Sequence, residues 1–106
     1  MRTLKFIVTG QQIKKDPSCD FSGLVAGTKG YLRAEFSFSS EWNCCRKAAA
    51  FWIMGEEHPA ILKENACIIP AEALTWSSFE VSVLGMRKDY KIATGKVKVT
   101  QERRKL

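Results

Sequence analysis

From Leu32 to Phe38 the chain alternates without a break. Leu32, Ala34, Phe36 and Phe38 fall on one side, and Arg33, Glu35 and Ser37 on the other. A period of two is the side-chain repeat of a β-strand with one face on a core and one in water. The same period recurs in Leu4, Phe6 and Val8, set against Thr3, Lys5, Ile7 and Thr9, and again in Phe79, Val81 and Val83, set against Glu80 and Ser82. Further on, Tyr90, Ile92, Val97 and Val99 alternate with Lys91, Lys96, Lys98 and Thr100, with a slip near Thr94-Gly95. A glycine at such a slip predicts a bulge or a bend. No helical run is long enough to carry a crossover between parallel strands, so the expected sheets are antiparallel.

Turn residues divide these strands. Asp16-Pro17 and Gly27-Thr28-Lys29-Gly30 bracket a long polar first connection. Lys63-Glu64-Asn65, between Ala60-Ile61-Leu62 and Ala66-Cys67-Ile68-Ile69, reads as a short hairpin. Gly85 to Asp89 reads as the separator of the last two strands. Pro70-Ala71-Glu72-Ala73-Leu74 is the one helix-like piece, a single turn opened by its proline. Lys47 to Ile53 carries three alanines that favour helix, but it is short and ends at Met54-Gly55, and a strand is expected there. The result is about seven short strands in one domain spanning residues 1–106, the count of an antiparallel immunoglobulin-like β-sandwich.

Charge is distributed unevenly. Residues 86–106 hold eight bases (Arg87, Lys88, Lys91, Lys96, Lys98, Arg103, Arg104 and Lys105) against Asp89 and Glu102, so the whole net charge of +6 resides there. Such a segment can grip an acidic protein or a nucleic-acid backbone, or it can simply keep an edge strand solvated and unpaired. Single-stranded nucleic acid is bound by bases together with stacking aromatics. Tyr90 is the sole aromatic in the basic strand, so a small basic nucleic-acid-binding protein is the alternative and not the leading reading. The longest apolar runs, such as Ala48 to Met54, fall far short of the roughly 20 residues of a membrane helix. The alternating N-terminus lacks a signal-peptide core, which predicts synthesis and retention in the cytoplasm.

The residues with reactive side chains form no recognisable catalytic set. Cys19, Cys44, Cys45 and Cys67 lack the spacing of a zinc chelate, and His58 is the only histidine. No glycine elbow, phosphate loop or motif-spaced acid accompanies them, and Glu56-Glu57 reads as solvated surface. Neither an enzyme, a cofactor nor a metal is expected. Among the aromatics, Phe36, Phe38, Trp42 and Phe51 are candidate core, together with Val81. Trp52 lies on the face opposite Phe51, and Trp76 sits in the polar stretch Thr75-Trp76-Ser77-Ser78. Both are candidate partner contacts, with Lys91, Lys96 and Lys98 beside them as the charged component.

Several segments recur together in one order. They are the opening strand ending in Thr9-Gly10, Phe36-Ser37-Phe38-Ser39-Ser40-Glu41-Trp42, Ala50-Phe51, Cys67-Ile68-Ile69-Pro70-Ala71-Glu72-Ala73-Leu74, Phe79 to Gly85 and Ile92-Ala93-Thr94. This pattern resembles small immunoglobulin-like domains encoded in the structural-gene region of tailed bacteriophages and of prophages of Gram-positive bacteria. Related domains stand at the N-termini of baseplate or tail-fibre-like proteins. The resemblance implies a virion structural or accessory protein, made in the host bacterial cytoplasm and docking in many symmetric copies on phage structural proteins. Capsid decoration and tail or baseplate attachment are both compatible with it. Cys44-Cys45 after Trp42 departs from the pattern.

Overall fold

A computed structural model describes residues 1–103 of the chain; Arg104 and Lys105 of the basic segment lie outside the described residues. Among the described residues nine strands form two sheets: β1 (Arg2–Thr9), β2 (Gln12–Lys15), β3 (Leu32–Phe38), β4 (Arg46–Ile53), β5 (Glu56–Ile61), β6 (Ala66–Ile68), β7 (Ser78–Arg87), β8 (Tyr90–Ala93) and β9 (Val97–Thr100). One sheet has the order β2-β1-β3-β6, the other β5-β4-β7-β8, with β9 also pairing β7. The alternating strands turn their apolar sides inward, as the period of two requires. Leu4, Phe6, Val8, Leu32, Ala34 and Phe36 meet Ala49, Phe51, Phe79, Val81, Val83 and Val99 in one buried cluster. The fold is all-β and sandwich-like.

Four expectations are corrected. The sheets are not purely antiparallel, because β1 pairs β3 in parallel from Arg2↔Leu32 to Val8↔Phe38. A parallel partner needs a connection of a dozen residues or more, and residues 10–31 supply it with strand and loop in place of a helix. Among the described residues there are nine strands where about seven were expected, since β2 is a short strand within the first connection and the last strand is two. Residues 63–65 do not close a hairpin between β5 and β6, which lie in different sheets. Glu64 and Asn65 there adopt left-handed φ of 53° and 62°, and Lys63 and Ala66 exchange backbone hydrogen bonds of 2.9 and 3.1 Å. That tight turn reverses the chain between layers. Gly85 lies within β7, which runs on to Arg87, and the turn is at Lys88-Asp89.

Other expectations hold. Lys47 to Ile53 lies within β4, and Ala71–Leu74 is a single 3-10 turn after Pro70. The slip at Thr94-Gly95 moves the register on β7 by one residue, from Leu84↔Ala93 to Phe79↔Val99. Thr94 bridges the interruption: its backbone N–H donates to the Val83 carbonyl, and its Oγ1 accepts from the Val83 N–H, both at 3.0 Å. Phe36, Trp42, Phe51 and Val81 are buried, whereas Phe38 sits at the rim with the Lys47 ammonium over its ring. Trp42 enters the core from the 3-10 turn Ser40–Trp42 and donates from Nε1 to the Gly10 carbonyl at 2.8 Å. Gly85 leaves the space that the Trp42 ring occupies, since a Cβ there would stand 2.8 Å from Cε3 of that ring. That contact, and not a turn, accounts for the glycine.

Candidate functional site

Side chains paired across antiparallel strands share a face. On β4 the inward set is Ala49 and Phe51, so Arg46, Ala48, Ala50 and Trp52 point outward, and the register carries this outer face across the whole five-stranded sheet. Its rows are Glu57–Trp52–Glu80–Lys98, then Pro59–Ala50–Ser82, then Ile61–Ala48–Leu84–Ala93, then Arg46–Met86–Lys91. Lys96 lies two positions before Lys98 and reaches onto the same face. Its Nζ stands 3.9 Å from the centroid of the Trp52 ring.

The face has a definite composition from edge to edge. The β5 edge presents Glu57, the middle strands carry Ala48, Ala50, Ser82 and Leu84 between exposed Glu80 at one end and Arg46 at the other, and the β8–β9 edge presents Lys91, Lys96 and Lys98. Ile61 is 84% exposed and Met86 46%, both large side chains without cover. Among the described residues, no carboxylate lies within 4.0 Å of Lys91, Lys96 or Lys98. A recess of about 240 Å³ beside Trp52, Glu80 and Lys98 is small and open, so the face offers contact area and charge and suits a protein surface better than a small molecule.

Trp52, Lys96 and Lys98 are therefore brought together at one end of the face, whereas Lys91 stands on the same face at the other end beside Met86; Trp52 is only partly exposed. Its Nε1 donates to Ser82 Oγ at 2.9 Å and its ring carries Lys96, so the indole is held in place and one ring face is taken. A nucleic-acid base stacking on that face would have to displace the ammonium. Trp76 is not part of this surface. It is 42% exposed in the loop before β7, with the Arg103 guanidinium 4.5 Å from its ring and its carbonyl accepting from Gln101 Nε2. The residues that the sequence reading passed over are Ile61, Pro59, Leu84 and Met86. Ile61 and Pro59 were concealed because β5 does not alternate between apolar and polar residues.

The reactive side chains are scattered. Burial pushes the Cys67 thiol up to about 11, against a smaller opposing effect of the Arg33 charge. Cys44 is exposed at a left-handed φ of 64°, and Cys45 lies beside the position where a Cβ on residue 85 would stand. His58 Nε2 is 3.3 Å from Glu56 Oε1. Among the described residues, no three His, Cys, Asp or Glu side chains group closely enough to hold a metal ion. An open groove of about 480 Å³ beside the β1–β2 turn is lined by Ile7, Gln11, Gln12, Ile13, Lys14 and Lys96 among others, with no carboxylate, thiol or imidazole. None of the described helices is long and apolar enough to cross a membrane. No protein-family model matches the chain, and no curated protein matches it.

Proposed function

We propose that this chain is a bacteriophage virion structural or accessory protein that docks on the assembled particle through protein–protein contacts. The observation that carries the proposal is the outer face of the five-stranded sheet. It joins uncovered apolar side chains, Ile61 and Met86, to an anchored Trp52 and to Lys91, Lys96 and Lys98 along one edge. Buried aromatic and aliphatic anchors supply most of the affinity at such contacts, while charge sets register and association rate.

The immunoglobulin-like part of the reading is supported by the way the chain alternates between layers. It passes from β3 to β4 and β5, returns as β6 beside β3, and crosses again as β7 beside β4. The parallel β1–β3 pair departs from that plan. The sequence resemblance to phage structural-region domains supplies the virion context, and a small domain with one flat contact face gains avidity by acting in many copies. Quantitative mass spectrometry of purified particles tests the proposal. A copy number near a multiple of a capsid or tail symmetry is expected. Recovery of the protein only from the soluble lysate would overturn it.

A further inference from the structure

The outer face of the five-stranded sheet is complementary to itself. In the first row Glu57 lies at the β5 edge and Lys98 at the β9 edge, with Trp52 and Glu80 between them; Ala48, Ala50, Ser82 and Leu84 fill the middle rows, and Arg46 and Lys91 stand in the last. A two-fold axis lying along the strand direction, between β4 and β7, reverses the strand order of the second copy and keeps every row at its own height. Glu57 then meets the second copy's Lys98. Trp52, carrying the Lys96 ammonium on its ring, meets Glu80 of the other copy, and Ile61 meets Ala93. A two-fold axis across the strands would place each strand on itself and the first row on the last, bringing Lys98 onto Lys91, base onto base.

We propose that a second copy of this chain covers this face, the two sheets stacking with their strands roughly aligned as in a sandwich. The proposal rests on the reading of this face as a docking surface and names its occupant. With strands ~4.8 Å apart and ~3.4 Å per residue, four strands and four rows span about 450 Å² per copy, so a pair buries about 900 Å². That is just short of the ~1,000 Å² that a persistent interface needs, so the dimer is weak in free solution and forms fully where copies are held side by side. The net charge of +6 on each copy opposes approach, but salt at physiological strength screens it beyond about 8 Å and leaves the short pairs across the interface intact.

Sedimentation velocity from about 10 µM to about 1 mM reads the association directly. A reversible monomer–dimer equilibrium is expected within that range. Lys98→Glu exchanges a positive for a negative charge, so if net repulsion alone governed association it would tighten the dimer. Facing Glu57, it should instead weaken the dimer by about tenfold or more, and Glu57→Lys should do the same. The combined Glu57→Lys/Lys98→Glu variant restores the opposite pairing and should recover most of the wild-type affinity. Both positions are exposed, and unchanged circular dichroism and melting temperature verify that each variant folds. A monomer at every concentration, single reversals that dimerise like the wild type, or an exchange variant as weak as its parents would each overturn the proposal. A dimer in solution that never joins particles would overturn the virion reading and leave this one standing. A monomer whose outer face becomes protected only on particles would do the reverse.

Discussion

Replacing Gly85 by alanine tests the packing of the sandwich at its tightest point. The added Cβ would stand 2.8 and 2.9 Å from Cε3 and Cζ3 of Trp42 and 3.3 Å from the Cys45 Cβ. Carbon atoms rest at roughly 3.5–4.0 Å, so the ring must retreat by about 0.7–1 Å. It has little room to do so. Trp42 is fully buried, its ring centroid is 5.2 Å from that of Phe38, and its Nε1 is tied to the Gly10 carbonyl. Overpacking of this kind costs ~1–3 kcal/mol, and weakening the indole hydrogen bond adds up to ~1 kcal/mol. Restricting the unfolded chain offsets ~0.4–1 kcal/mol. The net loss is about 2 kcal/mol, or roughly 10 °C in melting temperature for a domain of this size. Urea unfolding followed by near-ultraviolet circular dichroism measures it. In a Trp42→Leu background the shorter side chain leaves space for the Cβ, and Gly85→Ala should become neutral or mildly stabilising there. An unchanged midpoint in the wild-type background, or the same cost in both backgrounds, would refute the reasoning.

Three further outcomes follow from the same structure. With its thiol pushed up to about 11, Cys67 carries roughly one thiolate in a thousand at pH 8, so iodoacetamide should label exposed Cys44 long before it; equal labelling rates in a peptide map would contradict this. Phe36→Ala should cost ~3–5 kcal/mol and Phe38→Ala about half as much, because Phe36 is buried and Phe38 lies at the rim; equal urea midpoints for the two variants would show that the rim is misplaced. Hydrogen bonds from the backbone and hydroxyl of Ser18 hold the Asp16 carboxyl below its usual value, and those from the hydroxyl and backbone of Ser22 do the same for Asp20. A carboxyl lowered by folding stabilises the native state above its unfolded pKa, and that contribution is lost as pH falls through the folded value. Below about pH 4 the wild-type melting temperature should therefore fall more steeply than that of an Asp16→Asn/Asp20→Asn variant, and parallel curves would count against it.

The alternation that opens the sequence was enough to assign faces. Leu4, Phe6, Val8, Leu32, Ala34, Phe36, Phe79, Val81 and Val83 all point inward as their spacing requires. Partners were not legible, because a period of two says which side a residue faces and nothing about which strand lies beside it. The parallel pairing of β1 and β3, and the passage from β5 to β6 between sheets, depend on the path of the connections. Edge strand β5 was read only at its end, Ala60-Ile61-Leu62, for a different reason. Its inward positions carry His58 and Ala60, while Pro59 and Ile61 face outward, which reverses the usual contrast. The candidate surface was half readable: the lysines and Trp52 stand out in the sequence, but the contact between Lys96 and Trp52 joins residues 44 positions apart.

The slip between β8 and β9 bears on the order in which the protein is made. Strand β7 is flanked by β4 on one side and by β8 and β9 together on the other. On a ribosome β4 is available first, and β7 emerges with its second flank open. Until Thr100 has been added, the backbone amides and carbonyls opposite β9, from Ser78 to Val81, can be matched by any stray strand, including one from a neighbouring nascent chain. Lys91, Lys96 and Lys98 emerge during that interval. Their charge discourages pairing between chains and acts as a gatekeeper beside an aggregation-prone strand. A message that ends at residue 94, 95 or 96 would supply β8 without β9, leaving Phe79 and Val81 on an open edge, and its product should be found in inclusion bodies, not as a shorter soluble domain.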